Sequence, residues 1–238
     1  MGVIYMKILN FGSLNIDYVY SVDHFVQKGE TISSSQMNIF SGGKGLNQST
    51  ALGRAGAQVF HAGRIGKGGE FLVEQLKEAG VNTDLVVLDS QCSTGHAIIQ
   101  NDAEGDNCIL LYGGANQRIT KEQIDATLDQ FDAGDYLVLQ NETSNLPYLM
   151  EKAAEKQMKI VLNPSPMDEK IKALPLDKVT LFFVNEIEAA QILGQKELES
   201  TDVGPSSTET APAKNWVQGY VPTGCSRPYF RFPGLCLY

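Results

Sequence analysis

Polar side chains gather at three places where an apolar run stops. Asn15 and Asp17 follow the run Met6–Phe11. Lys44, Asn47 and Gln48 follow the pair Gly42-Gly43. Asn141 and Glu142 follow the run Tyr136–Gln140. Two adjacent glycines let backbone come close to a ligand. A helix opening after them offers N–H groups at its start, and Lys44, Asn47 and Gln48, at i, i+3 and i+4, share one face of its first turns. An ammonium, two amides and free N–H groups suit a ligand rich in hydroxyls. They also suit a phosphate, and a glycine turn with a solvated helix start has the same spacing. Asn15 and Asp17, two apart, face one side of an extended chain. They can grip neighbouring hydroxyls or serve the backbone of a turn. Glu142 stands beyond the carboxyl end of a strand, where parallel α/β sheets bind ligands.

A fourth group, Asn185-Glu186-Ile187-Glu188, also follows a strand. Its spacing is that of a capping box, with Asn185 as cap and Glu188 reaching back, which accounts for it without a ligand. The functional alternative puts Asn185 and Glu188 beside a metal-bound phosphate. Other nucleotide signatures fail. Gly63–Gly68 has the wrong glycine spacing for a phosphate loop and no Ser or Thr after Lys67, and no Gly-x-Gly-x-x-Gly opens a helix after a strand. His24, His61 and His96 lack metal-ligand spacing. Asp132-Ala133-Gly134-Asp135 precedes a strand and reads as a turn.

These groups need a scaffold. Strand runs are expected at Met6–Phe11, Tyr18–Val22, Met37–Phe40, Val59–Ile65, Leu85–Leu88, Gly95–Gln100, Asn107–Tyr112, Tyr136–Gln140, Lys159–Asn163 and Leu181–Val184. Helices are expected at Lys44–Ala55, Glu70–Ala79, Thr120–Asp129 (Thr120 as cap, Gln123 as capping-box partner), Leu146–Gln157 and Glu186–Leu193. The later alternation of strand and helix implies βαβ units, a mostly parallel sheet and helices on both faces. The early short strands break that alternation and predict a small separate sheet, a lid.

The chain has 238 residues, a net charge of −9 and a pI of about 4.8. No Lys/Arg cluster is present, so nucleic acid and anionic membrane are not expected partners. Cys92, Cys108, Cys225 and Cys236 show no C-x-x-C spacing and read as reduced thiols of a cytoplasmic protein. No apolar run is long enough to span a bilayer, and the apolar start reads as a strand, not a signal peptide. Near Glu199 the periodicity stops. Residues 199–238 hold five of the nine prolines and the only tryptophan. We expect two parts: an α/β domain over 1–198, with lid strands at about 15–40 and 95–112, and an irregular tail over 199–238.

Taken in order, Gly12-Ser13-Leu14-Asn15-Ile16-Asp17, Ser41-Gly42-Gly43-Lys44-Gly45-Leu46-Asn47-Gln48, Gly113-Gly114-Ala115-Asn116, Leu162-Asn163-Pro164-Ser165-Pro166 and Asn185–Glu188 resemble the ribokinases of the PfkB carbohydrate kinase family over about residues 6–198. The resemblance implies a three-layer α/β/α domain with a β lid and sugar contacts from Asn15, Asp17, Gly43, Lys44, Asn47 and Glu142. It implies that Asn185 lies at the nucleotide phosphates and Glu188 at the metal. The implied reaction is ATP-dependent phosphorylation of ribose or a close sugar, with Mg2+ and a monovalent cation (K+), and the lid is the implied dimer contact. The family's late Gly-Ala-Gly-Asp motif, with its catalytic base, is not found in this sequence. The expectation that follows is a truncated, inactive chain with the C-terminal part of the fold and the cation site missing. Rival readings are a non-catalytic sugar-binding module and a kinase of the same fold acting on a nucleoside or a hexose.

Overall fold

The computed structural model describes residues 6–194 and, by backbone alone, the strands Phe230–Phe232 and Leu235–Leu237. In chain order the main elements are β1 (Ile8–Phe11), β2 (Asn15–Ser21), β3 (Gln36–Gly42), α1 (Lys44–Arg54), β4 (Val59–Lys67), α2 (Glu70–Glu78), β5 (Asn82–Ser93), β6 (Gly95–Asn101), β7 (Asn107–Tyr112), α3 (Lys121–Leu128), β8 (Tyr136–Gln140), α4 (Leu146–Glu155), β9 (Lys159–Asn163), β10 (Val179–Phe182) and α5 (Glu186–Leu193). Six strands make a sheet in the order β10-β9-β8-β1-β4-β5, and every neighbouring pair is parallel.

The central strands are short runs of Leu, Ile and Val because both sheet faces are covered. Alternate residues serve opposite faces. Leu137, Leu139, Ile160 and Leu162 join the cluster containing Ile124, Leu128, Leu149 and Met150 of α3 and α4. Val138 and Val161 join the cluster containing Leu46, Leu52, Leu72 and Leu76 of α1 and α2. This is the expected three-layer α/β/α arrangement. No helix among the described residues is long and apolar enough to cross a membrane.

The lid is a second sheet, ordered β3-β2-β6-β7, with β2 and β6 parallel and the outer pairs antiparallel. It is inserted twice into the body, after β1 and after β5.

Several boundaries differ from the sequence reading for physical reasons. β5 runs over twelve residues, not the four of Leu85–Leu88, because it continues along β4 through a register shift to Ser93 at the base of the lid. β10 begins two residues before the expected strand at Leu181, where Val179 is buried against Ile160. Thr120 does cap α3 through the Gln123 N–H, but the Gln123 side chain donates to the Gly63 carbonyl and accepts from Arg64 Nε. That box is therefore half formed. Asp132–Asp135 is a turn. Gly134 has φ 89°, and the Asp135 carboxylate takes the N–H groups of Lys7 and Asp132 at 2.9 and 3.0 Å. The tail expected to be irregular, 199–238, lies outside the described residues apart from the antiparallel pair Phe230–Phe232 and Leu235–Leu237.

Candidate functional site

β1 has β4 on one side and β8 on the other. The chain passes from β1 to β4 by way of the lid and α1, and reaches β8 only after the second lid insertion. The two wings of the sheet therefore diverge at β1 and β8, and a crevice opens beyond their carboxyl ends. Ser13 follows β1 and Glu142 follows β8, so the two face each other across it.

The Glu142 carboxylate is the hub. Oε1 takes the Lys44 ammonium at 2.9 Å, Oε2 takes the Lys44 backbone N–H at 3.0 Å, and the Ser13 hydroxyl also donates to Oε2. Ser13, fully buried, accepts the Gly45 N–H on Oγ at 3.2 Å and the Leu46 N–H on its carbonyl at 3.0 Å. The sequence reading left the first N–H groups of α1 free for a ligand. The structure corrects this: those of Lys44, Gly45 and Leu46 are taken by Glu142 and Ser13. The positive end of the helix already holds an anion, the Glu142 side chain. Gly43 is the residue before the helix, with φ +94°. A side chain there would meet the Ser13 carbonyl at 2.9 Å, and one at Gly45 would meet the Ser13 N–H at 2.4 Å. These glycines let α1 come down onto the β1 end.

Asn15 and Asp17 lie on the first strand of the lid, not on an extension of β1, and the period of two puts them on one face as expected. Register places Asp17 in a row with Phe40, Ala97 and Leu111. In that apolar row, burial raises the Asp17 pKa above its ordinary value. The neighbouring Glu142 charge raises it further, and the Lys44 ammonium opposes them. Asn15 is buried, and its Oδ1 accepts from Asn116 Nδ2 at 2.8 Å.

A second polar chain underlies the crevice. Asn10 Nδ2 donates to the Gly45 carbonyl at 2.9 Å, so its Oδ1 is the atom left to accept from Gln140 Nε2 at 3.0 Å. Gln140 Nε2 also donates to Gln48 Oε1 at 2.7 Å. Asn47 lies on the exposed side of the first turn. The structure thus brings Asn15, Asp17, Gly43, Lys44 and Glu142 to one crevice, with Asn47 one turn above Gly43.

Asn185 and Glu188 lie elsewhere on the same edge. They follow β10, two strand spacings from β8, roughly 10 Å away. The capping box is complete: Asn185 Oδ1 accepts the Glu188 N–H at 2.8 Å and Glu188 Oε2 accepts the Asn185 N–H at 3.1 Å. Among the described residues no group of three His, Cys, Asp or Glu side chains is placed to hold a metal ion.

Sequence reasoning missed Ser13, Asn10, Gln140 and the side chain of Asn116 as parts of the site. Three of them lie inside or at the end of apolar runs, where a polar residue that the core does not need was the available signal.

The chain matches the model of the pfkB family carbohydrate kinases over residues 6–220. It is 34% identical over 199 residues to a ribokinase of Staphylococcus aureus (strain COL), covering 80% of this chain and 64% of that protein. It is 33% identical over 185 residues to a ribokinase of Bacillus subtilis (strain 168), covering 75% and 62%. The solved ribokinase of Cryptococcus neoformans var. grubii serotype A in complex with ADP superposes with a TM-score of 0.69 at 33% identity, covering 83% of this chain and 64% of that one. The chain therefore spans less than two thirds of the length of these relatives.

Proposed function

This chain belongs to the pfkB family of carbohydrate kinases, and we propose that its crevice binds a neutral sugar, D-ribose first among candidates, for phosphorylation by ATP. The observation that carries this reading is that Glu142 pairs with both the Lys44 ammonium and the Lys44 N–H, while Ser13 takes the next two N–H groups of α1. With Asp17 ionised, the crevice holds one ammonium and two carboxylates. A phosphorylated or carboxylated ligand meets net negative charge there, whereas a polyol meets alternating donors and acceptors. The apolar row of Phe40, Ala97 and Leu111 beside Asp17 supplies a surface for the carbon face of a sugar ring. The similarity to ribokinases is the reason to place ribose ahead of other sugars.

In this reading Asn15, Asp17, Lys44, Asn47, Glu142 and the Gly43 backbone orient the sugar and exclude water from it. Each buried polar group left unpaired by a wrong stereoisomer costs about 1–3 kcal/mol, the source of selectivity. Phosphoryl transfer needs positioning and charge neutralisation more than covalent help from the protein. Asn185 and Glu188 would serve at the phosphates and Mg2+. Mg2+ commonly takes one or two carboxylates together with substrate phosphates, and Glu188 Oε1, outside the capping box, fits that manner. We assign the base that accepts the hydroxyl proton, and any K+ site, to none of the described residues. A cytoplasmic setting belongs to the same proposal.

The lid gives the dimer reading its support. Ile39, Ile98 and Leu110 share the face opposite Asp17 and are 53%, 37% and 66% exposed. A second copy covering this face would bury them.

Calorimetric titration of the 238-residue chain with D-ribose, 2-deoxyribose, D-glucose, adenosine and ribose 5-phosphate tests the ligand class. Ribose binding tighter than that of the phosphate ester is expected; a preference for the ester would refute the neutral-sugar reading. ADP release from Mg-ATP with and without ribose then separates binding from turnover.

A further inference from the structure

We infer that Asn116 is a positioning residue that fixes which atom of Asn15 faces the crevice, and so makes the site demand a hydrogen-bond acceptor there; this rests on the sugar reading above. Amide oxygen and nitrogen look alike in shape, so the assignment has to come from partners of fixed polarity. The backbone supplies them. The Leu14 N–H, only ever a donor, lies 3.0 Å from Asn116 Oδ1, and the Leu14 carbonyl, only ever an acceptor, lies 3.2 Å from Asn116 Nδ2. Both bonds fail if the Asn116 amide is turned over. With Nδ2 fixed on that side, the contact at 2.8 Å requires Asn15 to present Oδ1 to it. Asn15 Nδ2 is the atom left over, and no protein partner is shown for it among the described residues.

The surroundings hold this arrangement. Asn116 is 1% exposed and Asn15 7%. A side chain at Gly95 would stand 2.2 Å from Asn116 Nδ2 and 2.4 Å from Asn15 Oδ1, so the glycine that opens β6 leaves room for the pair. A side chain at Gly114 would meet Gly95 N at 2.7 Å, and one at Gly43 would meet Asn15 N at 3.1 Å. All four places where chain passes between body and lid thus pack against one another, and the Asn116 amide ties the connection from β1 to β2 to the segment that follows β7.

The consequence is chemical. At the crevice Asn15 offers a donor and, two residues along the same face, Asp17 offers an acceptor. A ligand group bracketed by the two must accept on one side and donate on the other, as neighbouring hydroxyls do. A carboxylate at position 116 keeps one acceptor for the Leu14 N–H, turns its other oxygen toward Asn15 and draws the Asn15 Nδ2 inward. Asn15 Oδ1 then faces the crevice beside Asp17, and the donor is lost.

The test is a double-mutant cycle on D-ribose affinity in the full chain, using Asn116→Asp and Asn15→Ala. Asn116→Asp is expected to weaken binding at least tenfold when Asn15 is present and less than twofold in the Asn15→Ala background. Equal losses in both backgrounds would overturn the inference. Should Asn116→Asp fail to fold, Asn116→Ser enters the same cycle with the same criterion. Side-chain amide hydrogen exchange by NMR decides the point without a sugar. The Asn116 Nδ2 protons should exchange slowly and those of Asn15 quickly, and the reverse order refutes the assignment. If wild-type chain shows that order and binds no ribose, the ligand reading fails and the Asn116 assignment stands.

Discussion

Lys44 reaches the Glu142 carboxylate twice, with its ammonium 2.9 Å from Oε1 and its backbone N–H 3.0 Å from Oε2. The two residues are 98 positions apart in sequence, and their contact joins the two wings of the sheet at the crevice. The partners are not equivalent. The Glu142 side chain is 10% exposed and that of Lys44 is 37% exposed. Removing Glu142 strands the Lys44 N–H and the Ser13 hydroxyl, whereas removing the ammonium leaves Glu142 with two donors. Glu142→Ala is therefore expected to cost about 2–3 kcal/mol of stability. Lys44→Met should cost less than about 1 kcal/mol, since a solvated ammonium contributes little. Denaturant titrations of the two variants check the order, and equal losses would contradict it.

Gly42 and Gly45 separate binding from folding. A side chain at Gly42 would stand 2.2 Å from Asp17 Oδ2, the free end of a short side chain, and the carboxylate can swing away. A side chain at Gly45 would meet backbone, Ser13 N at 2.4 Å and Gly12 C at 2.6 Å. Gly42→Ala should weaken ribose binding about tenfold or more, by displacing a half-buried acceptor worth about 1–3 kcal/mol, with a small change in melting temperature. Gly45→Ala should lower the melting temperature itself. Calorimetry and thermal melts on both variants decide it, and an unchanged Gly42→Ala affinity would remove Asp17 from the site.

The pH dependence of binding follows from Asp17. Its pKa is raised above 3.8 by burial and by the Glu142 charge, so it takes up a proton at a higher pH than a solvated aspartate. In the proposed sugar site the ionised form is the acceptor. Ribose affinity should therefore be steady near neutrality and fall on acidification with a midpoint above 3.8. In Asp17→Asn, affinity should be lower and that step absent. A step of the same size and position in the variant would assign it to another group.

Much of this site is legible in the residue pattern alone. Asn15, Asp17, Lys44 and Glu142 stand at the ends of apolar runs, and strand ends in a parallel sheet are where ligands bind. The layers are legible because Leu-Ile-Val runs alternate with helical periods. The polar groups that orient the site are not. Ser13, Asn10, Gln140 and the Asn116 amide act through partners between 32 and 130 residues away, and local spacing carries no trace of such pairs. The expected free helix N-terminus failed for the same reason, because one of its occupants, Glu142, comes from the turn after β8, which pairs on the other side of β1 from β4. At Asn185–Glu188 the capping box proved real, with both reciprocal hydrogen bonds formed.

The lid predicts an oligomer that can be broken without touching the crevice. Leu110 is 66% exposed on the face opposite Asp17. Leu110→Asp should leave the monomer fold and its melting behaviour in dilute solution unchanged while shifting the mass from dimer to monomer in light scattering. A wild-type chain that is monomeric in dilute and in concentrated solution alike would remove the dimer from the proposal.

His61 sets a limit on acid stability. It is fully buried in β4, its Nδ1 lies 2.7 Å from the Ser49 hydroxyl, and burial lowers its pKa from 6.5 to about 4. The folded protein therefore keeps this imidazole neutral where the unfolded chain protonates it. Its contribution is fully present above pH 6.5 and is lost progressively as pH falls toward 4, by on the order of 3 kcal/mol across that window. Carboxylates titrate over part of the same range, so the quantity to measure is the stability of wild type minus that of His61→Gln, from about pH 7.5 down to about pH 4.5. Glutamine has no proton to gain, and the difference should shrink or reverse by roughly 1 kcal/mol per pH unit below about 6.5. A flat difference would mean that the folded protein protonates His61 as readily as the unfolded chain does, and that the β4–α1 interface opens to admit the charge.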